Sequence, residues 1–149
     1  MPRQPKSHIA IRPLEPAELP SIYPLIKQLN PDLKKQAFLN YLKEMLPLGY
    51  RCVGAYDAGR LVGVMGLWSA TRFWCGKYIE VDNLVVDQNQ RSRGIGDLMF
   101  DWLDGEAKRL GCNLIMADSY SHNHASHRFY LRKRYDLLGF CFVKKLGKR

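Results

Sequence analysis

The sequence predicts a mixed α/β (α+β) fold in which helices flank a mostly antiparallel central sheet. Three observations support this fold class: an alternating strand near the start, a meander of three apolar strands in the middle, and a long amphipathic helix followed by a short apolar strand. The expected order of elements is β-α-α-β-β-β-α-β-α-β. We expect one domain over residues 1–149, because this length suffices for a single hydrophobic core.

The first third of the chain predicts one strand and two helices. His8 to Arg12 alternates polar and apolar residues as a half-buried strand does, and a proline-containing helical stretch follows near Glu18 to Leu29. We interpret Asn30 as the N-cap of a second helix and Pro31 as its first residue. Gly49 marks the expected end of that helix.

Three strands of a meander are predicted next. Arg51 to Tyr56 and Leu61 to Leu67 flank Asp57 to Arg60, a short glycine-containing linker of the kind that joins antiparallel strands. A third extended run, Tyr78 to Val86, ends in apolar residues and completes the meander.

The second half predicts alternating helices and strands. Helical spacing of apolar residues runs from Ile95 to Leu110, and Gly111 sits where a left-handed cap would end the helix. Asn113 to Ala117 predicts a strand covered on both faces and paired in parallel with the strand before the helix. Phe129 to Lys133 belongs to a last helix and Leu137 to Val143 to a last strand.

Composition indicates a folded protein without metal or disulfide links. Hydrophobic residues make up 46% and charged residues 25% of the chain. No apolar run approaches the roughly 20 residues that span a bilayer, and the first seven residues lack the apolar stretch of a secretory signal, so we expect a cytoplasmic protein with no membrane partner. The sequence contains no Cys-x-x-Cys pair of the kind that binds zinc. We expect most of the four cysteines to be buried thiols. They are Cys52, Cys75, Cys112 and Cys141.

Charge leaves one alternative class of function open. Lys and Arg outnumber Asp and Glu by 23 to 14, which gives a formal net charge of +9. A basic nucleic-acid-binding protein is therefore an alternative, although the basic residues are dispersed and no zinc-finger or ribonucleoprotein motif accompanies them. We interpret most of this charge as a solvated surface and do not expect nucleic acid as the main partner.

The segment between the strand ending at Val86 and the long helix predicts an anion site. A helix N-terminus exposes unpaired backbone N–H groups, which can donate hydrogen bonds to a diphosphate. Gly94 and Gly96 allow close approach to the main chain, and Arg91 and Arg93 add charged donors.

Two other nucleotide-binding patterns fit less well. A dinucleotide-binding fingerprint would have Gly or Ala at the position of Met99 and an acidic residue near the end of the next strand. Asp118 meets the second requirement, but Met99 does not meet the first. However, too few residues follow Asp118 to complete a doubly wound sheet, and the preceding strands look antiparallel. A P-loop is excluded because no Gly-Lys-Ser/Thr sequence is present.

These residues resemble the signature of the GNAT superfamily of N-acetyltransferases. Arg91-x-x-Gly94-x-Gly96 matches the Gln/Arg-x-x-Gly-x-Gly/Ala pattern, and Asn123 precedes the Phe129-Tyr130 pair as in the second conserved block. The predicted layout is similar to that superfamily over residues 8–145. One departure is that Arg134-Tyr135 stands where the family has a glycine and an aromatic residue.

The resemblance implies a transferase that binds acetyl-coenzyme A (acetyl-CoA). The pantetheine arm would pair with the strand edge at Leu84, Val85 and Val86, where an N–H near Val86 would polarise the thioester carbonyl. Asn123 would contact the cofactor. The pyrophosphate would lie on the backbone of Arg91, Ser92, Arg93, Gly94, Ile95, Gly96 and Asp97.

The resemblance also implies catalytic residues for direct attack by an amine in a ternary complex. An alkyl ammonium with a pKa of about 10.4 must lose a proton before it attacks, so a base is needed. Glu80 matches by position the glutamate that some family members use, with Asp82 as the second choice and a surface or ion-pair role as the alternative. Tyr130 matches the tyrosine that protonates the departing thiolate, against the alternative of a core aromatic residue.

Other candidate chemistry is weaker. The spacing of His122, His124 and His127 does not give a two-histidine metal face, and no base can be argued for Cys75 as a nucleophile. The acceptor pocket would be built from the first two helices, the loop near Trp68 to Trp74 and the last strand, with several aromatic residues available. These are Trp68, Phe73, Trp74 and Phe140.

The expected acceptor is a primary amine on a small molecule, a peptide or a protein, and its identity is not encoded in these motifs. A non-catalytic acyl-CoA sensor is an alternative that keeps the cofactor site. Whether the chain forms a homodimer is also left open by the sequence.

Overall fold

The computed structural model describes residues 8–147, which form five β-strands and four α-helices. The strands are β1 (Ile9–Pro13), β2 (Arg51–Asp57), β3 (Arg60–Arg72), β4 (Gly76–Val86) and β5 (Leu114–Ala117). The helices are α1 (Tyr23–Leu29), α2 (Lys35–Met45), α3 (Ile95–Arg109) and α4 (His124–Arg132). A 3₁₀ helix, Pro16–Ile22, leads directly into α1.

The strands form one sheet in the order β1-β2-β3-β4-β5. The pairs β1/β2, β2/β3 and β3/β4 are antiparallel, which confirms the predicted meander. Ala58 and Gly59 connect β2 to β3 with positive φ angles of 48° and 80°, the backbone of a tight hairpin turn. All four residues of β5 are half-buried, so this strand is less covered than the apolar pattern predicts.

The described residues divide into two compact units, one up to Met116 and one from Ala117 onward. The first unit holds β1 to β4, α1 to α3 and most of β5. The second unit holds α4 and the residues after it. The single-domain organisation stays a prediction.

Apolar residues of the first unit pack on both faces of the meander. On one face, Val64 and Val85 join a cluster built from α1, α2 and the 3₁₀ helix. On the other face, a Cβ placed on Gly63 would lie 3.4 Å from the Sδ atom of Met99, which is fully buried on α3. Helices therefore cover the sheet on both sides, as the sequence pattern predicts. The buried residues of α3 recur at helical spacing: Ile95, Met99, Phe100, Leu103 and Ala107.

The second helix begins later than the sequence suggests. Asn30 is the C-cap of α1, where its backbone N–H and its side-chain amide both donate to the carbonyl of Ile26. A turn follows, and α2 starts at Lys35 after the N-cap Lys34. The predicted N-cap role of Asn30 is therefore wrong, because the same side chain satisfies the carbonyl at the end of the preceding helix.

The last predicted strand, Leu137 to Val143, is not formed. The sheet consists of β1 to β5, and residues 136–146 have no regular secondary structure. Phe140 and Phe142 are 82% and 94% exposed. The composition of this segment favours a strand, but a strand also needs a neighbour to complete its hydrogen-bond ladder.

Helix α4 ends in a Schellman motif without glycine. The N–H of Tyr135 donates to the carbonyl of Tyr130, and the N–H of Arg134 donates to that of Leu131. Arg134 has a φ of 66°, which is the left-handed conformation that glycine usually supplies. Arg134 therefore adopts the left-handed backbone conformation at the position where the family pattern has a glycine.

All four cysteines are free thiols, but only Cys52 is buried. Cys75 and Cys112 are half-buried and Cys141 is exposed, so the expectation that most cysteines are buried is wrong. Among residues 8–147, the helices are too short or too polar to span a lipid bilayer.

Candidate functional site

A β-bulge interrupts β4 just before its end. Gly66 of β3 lies opposite Asp82, whereas Val64, two residues away, lies opposite Val85, so β4 has one extra residue between these pairs. Asn83 takes up the irregularity with a φ of 55°, a left-handed conformation that asparagine tolerates better than most residues. A bulge takes one residue out of the ladder and increases the local twist.

The bulge changes which residues share a face. Alternation alone places Glu80, Asp82, Leu84 and Val86 together. Val64 and Gly66 lie two apart on β3 and share a face, so their partners Val85 and Asp82 do so as well. Val86 therefore does not share the face of Glu80 and Asp82, as unbroken alternation would require, and Val85 takes that position. Leu84 lies within the bulge and is half-buried, as is Val86.

Glu80 and Asp82 are half-buried carboxylates on one face of β4. Glu80 lies opposite Trp68 of β3, and the indole Nε1 of Trp68 donates to the Oδ2 atom of Asp82 at 3.0 Å. The ring of Trp68 lies 5.3 Å from the ring of Tyr50. These contacts put both candidate bases beside one aromatic side chain.

Gly66 is required where the two strands approach most closely. A Cβ at this position would lie 2.6 Å from the backbone carbonyl oxygen of Asp82 and 2.6 Å from the hydroxyl of Tyr50. Burial raises the pKa of Tyr50 above its usual value, so the phenol stays neutral. A side chain at Gly66 would therefore displace the strand segment that carries Asp82.

The β4–α3 loop, residues 87–94, ends in a run of backbone amides that contains two left-handed residues. Ser92 has a φ of 64° and Gly94, the N-cap of α3, has a φ of 73°. Left-handed residues within such a run are typical of the anion-binding backbone conformation called a nest. Ile95, Gly96 and Asp97 continue this run as the first turn of α3.

These amides are available for a ligand. Within residues 8–147, no protein group accepts a hydrogen bond from the backbone N–H of residues 92–96. A Cβ added to Gly94 would meet no atom within 4 Å, so the protein leaves open space there. The positive end of α3 lies at the same place. The backbone therefore fits a doubly charged anion such as a pyrophosphate.

The two arginines of this loop differ in their partners. The Nη1 atom of Arg93 forms an ion pair with Asp57 of β2 at 2.8 Å and also contacts Gln90. The Nε atom of Arg91 donates to the carbonyl of Val86 at 3.4 Å. Arg93 thus links the loop to β2, whereas Arg91 contacts the end of β4.

The second unit carries the other two sequence-predicted residues. Asn123 is the N-cap of α4, and its side-chain oxygen accepts a hydrogen bond from the Ser126 amide at 3.2 Å. Tyr130 lies on α4 between Phe129 and Tyr135, with ring centroids 5.7 and 5.5 Å away. Burial, with a smaller effect of Asp118, raises the pKa of Tyr130, so the phenol keeps its proton at neutral pH.

Sequence reasoning missed two residues of this region. Asn83 forms the bulge, and its signal was an asparagine placed inside an otherwise strand-forming run. Asp87 is the only charged residue among the buried ones of residues 8–147, and it follows β4 directly at a position where N-capping aspartates are common.

The remaining candidates have local roles. His127 contacts the carbonyl of Tyr120 at 2.9 Å, and the described part of the chain contains no group of three or more side chains that could hold a metal.

The loop predicted near Trp68 to Trp74 is shorter in the structure. Strand β3 extends to Arg72, so only a hairpin tip remains between β3 and β4. At this tip, Phe73 and Trp74 are exposed.

Comparisons with known proteins show the family of this chain. Residues 18–134 match the profile of the Acetyltransferase (GNAT) family. An aminoalkylphosphonate N-acetyltransferase of Salmonella typhimurium is 30% identical over 129 residues, which cover 85% of this chain and 84% of that protein. Glucosamine 6-phosphate N-acetyltransferase 1 of Oryza sativa subsp. japonica is 33% identical over 111 residues, covering 68% and 67% of the two chains.

Solved structures show the same fold. An aminoglycoside N-acetyltransferase in complex with CoA superimposes with a TM-score of 0.81, at 19% identity, over 98% of each chain. The family profile covers the bulged strand, the β4–α3 loop and the helix that contains Tyr130. The chain belongs to the acetyltransferase (GNAT) family.

Proposed function

We propose that this protein transfers the acetyl group of acetyl-CoA to a primary amine by direct attack in a ternary complex. The observation that carries the proposal is the run of backbone amides at residues 92–96, which no protein acceptor uses among the described residues. Family membership and the CoA-bound neighbour support acetyl-CoA as the cosubstrate. The pyrophosphate would lie on the amides of residues 91–97 and the pantetheine arm along Leu84, Val85 and Val86.

The proposed catalytic residues are Glu80 and Tyr130. Glu80 removes the proton from the substrate ammonium, either directly or through a water, because only the neutral amine can attack. Tyr130 gives its proton to the departing thiolate, and a thiol of pKa about 8.5 is a suitable partner for a phenol. Asn123 is proposed to contact the cofactor.

The proposed acceptor is a small-molecule amine. An open depression of about 530 Å³ lies on α1 and the turn after it, and this region is where the acceptor pocket is expected. Its lining combines apolar and cationic groups, which suits an amine with a ring or an anionic substituent. The lining residues are Tyr23, Pro24, Lys27, Gln28 and Pro31.

We also propose a homodimer that covers the exposed apolar segment at residues 137–146. Monomers rarely leave so many neighbouring apolar side chains in water. Sedimentation of the wild type and of Phe142→Lys would test this: the wild type should be a dimer and the variant a monomer. A monomeric wild type would contradict it.

Thiol release is the experiment that tests the function. Purified protein with acetyl-CoA is given a panel of amines that includes an aminoalkylphosphonate, glucosamine 6-phosphate and an aminoglycoside, the substrates named for its relatives and neighbour. We expect turnover of at least one amine and thermal stabilisation by acetyl-CoA at moderate salt.

Two other outcomes would overturn the proposal. Stabilisation by acetyl-CoA without turnover of any amine would favour the non-catalytic acyl-CoA sensor. Indifference to acetyl-CoA, with binding to polyanions that weakens steeply with salt, would favour the basic nucleic-acid-binding protein.

A further inference from the structure

Gln28 of α1 reaches the β4–α3 loop with both ends of its side-chain amide. Its Nε2 atom donates to the Oδ1 atom of Asp87 at 3.5 Å, and its Oε1 atom accepts from the backbone N–H of Gln88 at 3.1 Å. The two partners are adjacent in sequence and lie about 60 positions from Gln28. The side-chain amide of Gln28 therefore holds the start of the loop against α1, a helix that precedes the meander strands in the chain.

Asp87 is the point where this contact joins other parts of the fold. Its carboxylate also accepts from Arg60 Nη2 at 3.2 Å and from the N–H of Asn89 at 3.1 Å. Its backbone N–H donates to the carbonyl of Val62 at 2.8 Å, and its carbonyl accepts from Gln90. Only 9% of Asp87 is exposed. A buried carboxylate with this many donors holds one geometry, because each lost hydrogen bond leaves a buried charge less satisfied.

The charged form of Asp87 is the one that this geometry favours. The hydrogen bond from the Asn89 amide, followed by those from Gln28 and Arg60, lowers the pKa of Asp87 below its usual value. The carboxylate is therefore ionised at neutral pH and acts as an acceptor for all three donors.

The contact lies next to the amides that would bind the cofactor. Asp87 begins the β4–α3 loop, and the open amides of residues 92–96 lie at the end of the loop and the start of α3. Arg93 links the loop to Asp57 of β2. Affinity for an anion on backbone amides depends on those amides being ordered before the anion arrives. A loop fixed at its first residues loses less conformational entropy on binding.

We propose that Gln28 is a positioning residue for the cofactor, which acts through Asp87 and Gln88 on the loop that binds the pyrophosphate. This inference rests on the proposed function, since it assigns a role in acetyl-CoA binding. Gln28 itself does not touch the pyrophosphate site in this account. Its effect is to hold the loop in the conformation that residues 92–96 need.

The test is a calorimetric titration of the full-length protein with coenzyme A, without amine. Gln28→Ala removes both hydrogen bonds, and Gln28→Glu keeps the size of the side chain and the acceptor for Gln88 but places a second carboxylate beside Asp87. Gln36→Ala is the matched control, because Gln36 is exposed on α2 and bonds only to Asn40 of the same helix. We expect the Kd to rise about tenfold in Gln28→Ala, as for the loss of one to two hydrogen bonds. Gln28→Glu should bind at least as weakly, and the control should bind as the wild type does.

Two further measurements separate positioning from general damage. The KM for acetyl-CoA, measured at saturating amine because Gln28 also lines the depression where the acceptor is expected, should rise in parallel with the Kd. Hydrogen exchange of the free protein should show faster exchange at residues 88–90 in Gln28→Ala, with α3 and the sheet unchanged.

The outcomes distinguish the two proposals. Coenzyme A affinity that is unchanged in Gln28→Ala, or restored to the wild-type value in Gln28→Glu, would overturn the positioning role while leaving the proposed function in place. If the wild type itself does not bind coenzyme A, the proposed function fails, and so does the positioning role that rests on it.

Discussion

The indole Nε1 of Trp68 donates a hydrogen bond of 3.0 Å to the Oδ2 atom of Asp82. Glu80 lies opposite the same tryptophan in the β3/β4 register. Trp68 therefore orients the carboxylate of Asp82 and lies beside that of Glu80. Substituting each carboxylate separately tests which of the two is the catalytic base.

Replacing Glu80 by Gln should lower kcat by about a hundredfold, as expected for the loss of a general base. The Kd for coenzyme A should not change, because the side chain is not proposed to touch the cofactor. Asp82→Asn is the matched variant and should lose less than tenfold in kcat, since the Trp68 contact can be kept by the amide oxygen. A larger loss in Asp82→Asn than in Glu80→Gln would transfer the base role to Asp82.

Tyr130→Phe should lower kcat by about tenfold to a hundredfold and leave coenzyme A binding intact, because only the proton donor is removed. Burial raises the pKa of Tyr130, so the phenol keeps its proton to a higher pH than an exposed tyrosine does. The alkaline loss of wild-type activity that is due to this residue should therefore occur at a higher pH than for an exposed tyrosine. A kcat equal to that of the wild type would assign Tyr130 a packing role only.

Glu106 should stabilise the fold in a pH-dependent way. Hydrogen bonds from Arg109, and then from Arg51, lower its pKa from 4.5 to about 2. A lowered pKa in the folded state contributes stability above pH 4.5, and this contribution is lost as the pH falls toward 2. Glu106→Gln should lower the free energy of unfolding at pH 7 by roughly 1 kcal/mol, because both arginines are partly exposed and screened.

Urea unfolding of Glu106→Gln and of the exposed control Glu44→Gln, at several pH values, checks this. The gap between wild type and Glu106→Gln should narrow as the pH falls from 4.5 toward 2. A gap that is constant with pH would mean that the arginine contacts do not depend on the charge of Glu106.

Arg134→Gly should raise the free energy of unfolding of the unit that contains α4 by about 0.5 to 1 kcal/mol. Glycine adopts the left-handed φ of 66° at this cap without the clash of a Cβ. Arg132→Gly, two residues earlier at the end of the helix, is the control and should be destabilising by about 1 kcal/mol or more, because it lowers helix propensity and removes the guanidinium that lies over the Phe129 ring. Thermal melts followed by circular dichroism would compare the two, and destabilisation by Arg134→Gly would contradict the strain at the cap.

Regular elements were predictable because their patterns are local. The spacing of Ile95, Met99 and Leu103 sets one face of α3, and the alternation in β2 and β3 sets the meander. The amide run after Val86 was predictable as well, since glycines at a helix start indicate a turn that an anion can approach.

Irregular features were not predictable from these patterns. Every residue from Leu84 to Val86 is apolar, so the sequence is compatible with either Val85 or Val86 on the face of Asp82. The left-handed conformation of Asn83 determines that it is Val85. The Gln28 contact to Asp87 depends on two segments meeting in space, which no local pattern records. Leu137 to Val143 has a strand-forming composition, but pairing requires a neighbouring strand that the pattern cannot specify.

The most direct test of the account is calorimetric titration of coenzyme A into the wild type, Gly94→Asp and Gly105→Asp. Gly94→Asp places a carboxylate beside the open amides of residues 92–96 and forces an L-residue into a φ of 73°, whereas Gly105→Asp puts the same side chain on α3 where a Cβ meets no atom within 4 Å. We predict binding by the wild type and by Gly105→Asp, and loss of binding by Gly94→Asp. Equal affinity in all three proteins, or no binding by the wild type, would contradict the claim that these amides hold the pyrophosphate.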